Sequence, residues 1–313
     1  MKKTHLLIML SFLMASKTYA CLNGETKILK NGVMLYEDNE GIYPEGHHFY
    51  IEHFPKLIRE LDSMYKATKD LDYLSDKGYV LIIKKKYDEA LKIYLEIEKV
   101  KPNRYSTASN IGTIYELIGE NTKAYEWIKK AIKINSKSHN SSEWLHLKIL
   151  EAKIKGDKYI TSEFLLNTNF GNDTIPKSNF SKIQKEKLIS SLYYQLNERI
   201  SFIKSKDKII GLLLFELGNL ALINEDNYSA KDIYIKAKEY GYESSLINIR
   251  IGLCNENIQD KLWNENIEIS RKLNYQLRVN NNLKIFLIIL SMILVASIVF
   301  IIKLKRKTPH NTC

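Results

Sequence analysis

A period of 34 residues between small side chains restricts this chain more than any other feature. Gly78 recurs as Gly112 and Ala90 as Ala124. The larger positions keep step: Leu81 with Tyr115, Tyr94 with Ile128, Ile97 with Ala131, and the helix-ending Pro102 with Ser136. Each copy divides into two stretches of helical apolar spacing about a polar turn, Lys84-Lys85-Lys86 in the first and Gly119-Glu120-Asn121 in the second. Two antiparallel helices packed about 8–10 Å apart need small residues where their backbones cross and large apolar ones in the grooves alongside. A third copy lies further on. Gly218 precedes Ala230 by 12 residues, the separation found in the first two copies, and Tyr234 and Ala237 fall where Tyr94 and Ile97 do. Gly112 and Gly218 are 106 residues apart, not a multiple of 34, so degenerate or inserted units lie between. One such pair cannot bury its own apolar face, so neighbours must stack.

These residues resemble the tetratricopeptide repeat (TPR). Gly78 and Gly112 match the small residue of its first helix, Ala90 and Ala124 that of its second, and Tyr94 its large apolar position. The opening Cys21-Leu22-Asn23-Gly24-Glu25 is also similar to that of a group of exported bacterial TPR proteins. The resemblance implies an all-α, TPR-type helix-pair solenoid in two blocks, with a cleaved signal peptide and one C-terminal transmembrane helix. The expected boundaries are a signal at 1–20, an extended or hairpin lead-in at 21–50, and block 1 with capping helices at 51–155. A loop or linker at 156–181 precedes block 2 at 182–282, then a membrane helix at 283–303 and a cytoplasmic tail at 304–313.

Both ends carry targeting features. Lys2 and Lys3 precede an apolar run from Leu6 to Met14, and Ala20 ends a small-residue stretch, as in a secretory signal. Cleavage there leaves Cys21 first. Thr18 stands where a lipidation signal wants Leu, so an acylated Cys21 and an ordinary cut are both open. Ile285 to Ile302 is 18 residues without a charge, enough to cross a hydrocarbon core at about 1.5 Å per residue. Lys303, Lys305, Arg306 and Lys307 follow, placing the C-terminus in the cytoplasm and the repeats outside it.

The formal charge of +11 does not point to nucleic acid. Lys2, Lys3 and Lys17 lie in the signal and four basic residues follow the membrane helix, leaving +4 for the exported part. Three cysteines give no disulfide framework, and Cys254, in the apolar run Ile247 to Leu253, reads as a small buried hydrophobe. Helices are expected at 51–69, at 141–154 with Ser141 or Ser142 as N-cap, at 185–203, at 245–257 and at 260–277. Asn280 to Asn282 argue for a break before the membrane helix.

Motifs for chemistry are sparse. His47, His48 and His53 cluster near Glu45 and Glu52, but adjacent His47 and His48 point apart on a helix or strand, and no metal-site spacing is met. No nucleophile elbow, phosphate loop or Cys-x-x-Cys occurs. No enzyme, metal or cofactor is expected; a metal protein or enzyme using His47, His48 and His53 is the remote alternative. The resemblance implies a non-catalytic protein–protein interaction scaffold that takes a protein or peptide segment in the groove lined by each first helix. Ser75, Tyr79 and Ile82, then Ser109, Asn110, Thr113 and Glu116, are the groove positions it assigns. The subgroup that clamps a C-terminal carboxylate needs Lys and Asn where Ser75 and Tyr79 stand; Asn110 alone fits, so that ligand is not expected. A sensor acting through a separate partner is the alternative, because about a dozen residues after the membrane helix cannot form an output domain. The oligomeric state is left open.

Overall fold

The side chains of Asp70, Thr161, Ser181, Asp207 and Asp226 each cap the start of a helix. The computed structural model describes residues 26–38 and 41–307. The signal expected at 1–20, Cys21 and the last six residues lie outside these. A two-stranded antiparallel hairpin, β1 (Thr26–Ile28) and β2 (Met34–Glu37), opens the chain. Then come α1 (Phe54–Thr68), α2 (Leu71–Ile83), α3 (Tyr87–Val100), α4 (Tyr105–Leu117) and α5 (Asn121–Ile134). The Asp70 carboxylate caps α2 by accepting from Asp72 N at 2.9 Å. A turn over Ser138–Ser141 with left-handed backbone at His139, Asn140 and Ser141 leads into α6 (Glu143–Lys155). A short α7 (Ser162–Leu166) precedes α8 (Lys182–Phe202), α9 (Lys208–Ile223), α10 (Asn227–Glu239) and α11 (Ser245–Lys307).

The repeat spacing becomes packing in three places. A Cβ on Gly78 would sit 2.8 Å from the Tyr94 ring, one on Gly218 2.7 Å from the Tyr234 ring, and one on Gly112 2.5 Å from Ile128 Cδ1. Each glycine therefore lets the large residue 16 positions later lie directly on its backbone. Ala90, Ala124 and Ala230 are fully buried on the facing helices. Seven residues after each glycine, Lys85, Gly119 and Glu225 take positive φ and turn the chain into the second helix. The next amide then bonds back to the carbonyl five residues earlier: Lys86 N to Leu81 O, Glu120 N to Tyr115 O, Asp226 N to Ala221 O, all 2.8–3.0 Å. This is the Schellman closure of a helix end. The chain is thus a TPR-type helix-pair solenoid. Of the remaining repeat positions, Leu81, Ala131 and Ala237 are buried, Tyr115 is half-buried, and exposed Pro102 follows the end of α3.

Four expectations are modified, three of them before residue 256. Residues 156–181 do not separate two cores: Leu165, Leu166 and Phe170 join a single cluster running from Leu145 and Ile149 of α6 to Tyr234 of α10. The helix expected from residue 185 begins at Lys182, because Ser181 and Gln184 form a capping box (Ser181 N to Gln184 Oε1, 2.9 Å). Ser142 precedes α6 without capping it; its hydroxyl accepts from Gln195 Nε2 at 3.1 Å instead.

Residues up to Asn255 form one compact unit and those from Glu256 onward a second. In the second, Asn280 to Asn282 do not break the helix. Asparagine costs under about 0.7 kcal/mol in a helix interior, and no glycine or proline follows Gly252 before Lys307. This helix contains an 18-residue window of mean hydropathy 2.8, none of it buried, long and apolar enough to cross a membrane.

Candidate functional site

The 34-residue period puts equivalent residues of α2 and α4 side by side on the inner face of the stack. One period apart, Ser75 corresponds to Ser109, Tyr79 to Thr113 and Ile82 to Glu116. What faces them is the C-terminal half of α8, together with the hairpin. Phe202 packs on the cluster that holds Leu74, Ile82, Ile111 and Ile114. A polar recess of about 250 Å³ remains between these elements. Ser75, Tyr79, Ile82, Ser109, Asn110 and Thr113 line it from the repeats; Lys27, Tyr36, Glu198 and Phe202 close it from the other side.

Glu116 lies deeper, against a smaller cavity of about 40 Å³. Arg199 of α8 reaches both of its oxygens at 3.2 and 3.3 Å. His146 Nε2 lies 2.6 Å away and Lys153 Nζ donates at 2.7 Å. Burial alone would raise the Glu116 pKa, but the charges of Arg199, Lys153 and His146 outweigh it and hold the carboxyl well below its usual range. His146 also faces Glu143 at 3.2 Å, and Tyr105 donates to that carboxylate at 2.7 Å. Burial opposes ionisation of Glu143, yet His146 and His139 bring its pKa down to about 2. The network joins α4, α6 and α8 across the groove floor. Removing one member of such a buried set leaves another charge uncompensated, at a cost of about 3–5 kcal/mol, so it fixes where α8 lies.

A second set of bonds holds the segment after the hairpin against α8. Gly46, at φ +83°, donates its N–H to Asn197 Oδ1 at 2.7 Å, and a Cβ there would meet Ile200 Cγ2 and Ser201 N at 3.0 Å. His47 N–H donates to Ser201 Oγ at 2.7 Å, and the ring stacks on Tyr36 at 3.8 Å between centroids. Its Nδ1 is 2.8 Å from Asp38 and its Nε2 3.1 Å from Glu198. Burial lowers the pKa of His47, but the two carboxylates reverse this and raise it to about 9. Glu198 falls to about 2, the His47 charge outweighing burial. His48 and His53 are exposed, so the three histidines do not converge. Among the described residues no group of three or more His, Cys, Asp or Glu is placed to hold a metal ion.

Asn110 is partly committed to packing: its amide donates to Tyr94 OH at 3.0 Å, while Tyr94 donates to Ser75 O at 2.8 Å. Asp76, beside Ser75, accepts from Lys30 N at 2.6 Å, and burial raises its pKa. The period located the repeat wall of the recess. It carried no information about Glu198, Arg199 and Phe202, which arrive from a helix outside the repeat register, or about the buried member of the histidine cluster. Gly46-His47 was the available signal, a residue free to take positive φ next to one with two hydrogen-bonding nitrogens.

No protein-family model and no curated protein matches the sequence. Among solved structures the chain is similar to the APC/C hetero-tetramer Cut9–Hcn1, at 13% identity and a TM-score of 0.32 over 66% of this chain. It spans 34% of the length of that protein. It is also similar to a tetratricopeptide repeat protein from Parabacteroides merdae, at 15% identity and a TM-score of 0.32, over 64% of this chain and 92% of that one. The fold assignment rests on the glycine-on-ring packing and the three equivalent turns rather than on these likenesses.

Proposed function

We propose that the chain is a non-catalytic protein–protein interaction scaffold whose repeats lie outside the cytoplasm, anchored by the apolar part of α11 with its C-terminus inside. The observation that carries the interaction role is the recess between α2, α4, α8 and the hairpin. It is open, polar and bordered by aromatic rings at Tyr36, Tyr79, Tyr105 and Phe202. A pocket of this kind suits one or two side chains of a protein segment, with hydroxyls and amides to fix orientation and rings to supply apolar contact. Mixed charge at the rim, Lys27 against Asp76 and Glu198, argues against a strongly charged ligand. The basic cluster from Lys303 to Lys307 supports the orientation.

The test is crosslinking in intact cells followed by capture through a C-terminal tag. Wild-type protein is expected to bring down a reproducible envelope protein, and Ser106→Trp, which fills the mouth of the recess from an exposed rim position, is expected to reduce that capture at least about tenfold. Undiminished capture by a folded Ser106→Trp protein would move the binding surface elsewhere.

A further inference from the structure

We propose that residues 259–283 of α11 pair with the same segment of a second copy of this chain, as a parallel, in-register, two-stranded coiled coil.

On this segment of the helix Leu262, Trp263, Ile269, Leu273, Leu277 and Leu283 are 40–68% exposed. Helices in water draw most of their stability from burying an apolar face, and an unbranched run of this length with such a face exposed calls for a partner. The face has a heptad period. Leu273 falls at the first core position, and Leu262, Ile269 and Leu283 at the second. Trp263 and Leu277 occupy one flank of that seam and Val279 the other. Of the large exposed apolar residues between 259 and 283, only Tyr275 falls outside this face. Arg271 and Arg278 sit directly opposite the seam.

The polar residues on the seam identify the partner. Gln259, Asn266 and Asn280 take first core positions and Gln276 a second. A side-chain amide carries both donor and acceptor, so it is satisfied by the same amide of an identical chain at the same height. An unrelated apolar helix would leave these groups unpaired in the core, and a staggered copy would leave most of them so, at about 1–3 kcal/mol each. Asparagine at a first core position is a known determinant of register and two-strandedness. The flanks are compatible: in the parallel arrangement Glu265 faces Ser270 and Lys272 faces Leu277, so no like charges meet. The inference rests on the proposed anchor, since two copies held by the same membrane span start parallel and level.

Cysteine scanning of the full-length protein, with its native cysteines replaced by serine, tests this in isolated membranes. Single cysteines at Ile269 and Leu273 are expected to give disulfide-linked homodimers on mild oxidation. Cysteines at Asn264 and Arg271, on the far side, are expected to give at least about tenfold less, because disulfides need Cα atoms within about 7 Å. Equal yields on both faces, no homodimer at any position, or a crosslink only to a different protein would overturn the proposal. Alkaline extraction reports the anchor separately. Protein that stays with the membrane without dimers at 269 and 273 defeats the pairing alone. Protein that washes off yet still dimerises there defeats the anchor alone.

Discussion

The inner face of α2 and α4 and the inner face of α9 begin from the same repeat geometry and end differently. Taken from the repeat glycine, Ser75 and Ser109 correspond to Phe215, Asp76 and Asn110 to Glu216, Tyr79 and Thr113 to Asn219, and Ile82 and Glu116 to Leu222. On α2 and α4 these positions, Glu116 excepted, border an open recess, although Ser75, Ser109 and Ile82 are themselves at most 8% exposed. On α9 all four are at most 7% exposed. Glu216 is hydrogen-bonded by Ser162 and by Asn219 Nδ2, the latter at 2.8 Å; burial raises its pKa. Tyr234 donates to Asn219 Oδ1 at 2.7 Å, and Arg250 reaches the same oxygen. Tyr242 stacks on Phe215 at 4.4 Å. The glycine and alanine positions build the pair in both cases. Whether its groove stays open or is filled by the chain itself is decided by residues outside the repeat, namely α8 and the hairpin in one case and α7, the 167–180 loop and the start of α11 in the other.

The strongest way to break this comparison is to empty the filled groove. Arg250 is fully buried, and its guanidinium bonds Asn219, Gly171 O and Asp173 O, the latter two at 2.8 Å, while lying 5.2 Å from the Phe215 ring centre. Arg250→Ala strands two carbonyls and leaves a void against Phe215. It is expected to cost about 3–5 kcal/mol in urea unfolding. A loss under about 1 kcal/mol would mean that the groove of α9 is filled by apolar packing alone and that the arginine is incidental.

What the two grooves share is tested by the three repeat glycines. Gly78→Ala and Gly218→Ala each push a methyl group into an aromatic ring that a hydrogen bond holds in place, Tyr94 through Ser75 O and Tyr234 through Asn219. Each is expected to destabilise by about 1–3 kcal/mol. Gly112→Ala meets Cδ1 and Cγ1 of Ile128, a side chain that no hydrogen bond anchors, so its loss should be the smallest of the three. Equal costs at all three sites would show that close backbone approach, not the fixed ring, sets the requirement for glycine.

The repeats were legible because each constraint is local: a glycine, an alanine 12 residues later and a turn between them write the pair into one stretch of sequence. Even the turn geometry had a trace, since Gly119 takes the positive φ that Lys85 and Glu225 share without a glycine to mark it. The far wall of the recess was not legible. Arg199 meets Glu116 across 83 residues and His47 meets Glu198 across 151, and no periodicity links such pairs. Arg250, between Ile249 and Ile251, did leave a trace in the sequence, one that treating the stretch as apolar missed: a single charge inside an apolar helical run has to be paired somewhere. The break expected at Asn280 to Asn282 failed for a different reason, because weak helix propensity in three residues does not outweigh a long helix on either side.

The smallest of these effects sharpens the open side. His47 ties the segment after the hairpin to α8, and the groups facing it are Asp38, Glu198, Asn197 and Tyr36. Its folded pKa of about 9 lies above the unfolded value of about 6.5, so the stabilisation it provides is complete below about pH 6.5 and disappears as the pH rises through about 9. Glu198, held at about 2 against an unfolded 4.5, gives the opposite limb: its share is complete above about pH 4.5 and is lost as the pH falls toward 2. The urea midpoint of wild-type protein should therefore exceed that of His47→Gln by an amount worth about 1 kcal/mol between pH 5 and 6.5, with the gap closing near pH 9. A gap that does not change with pH would mean that stacking on Tyr36 and the Ser201 hydrogen bond hold the segment, with no contribution from the imidazolium charge. Arg250→Ala carries no comparable prediction, because an arginine stays charged throughout this range. A wall that follows the His47 charge on the open groove, beside an arginine that keeps its charge in the filled one, is the form in which the difference between the two can be measured.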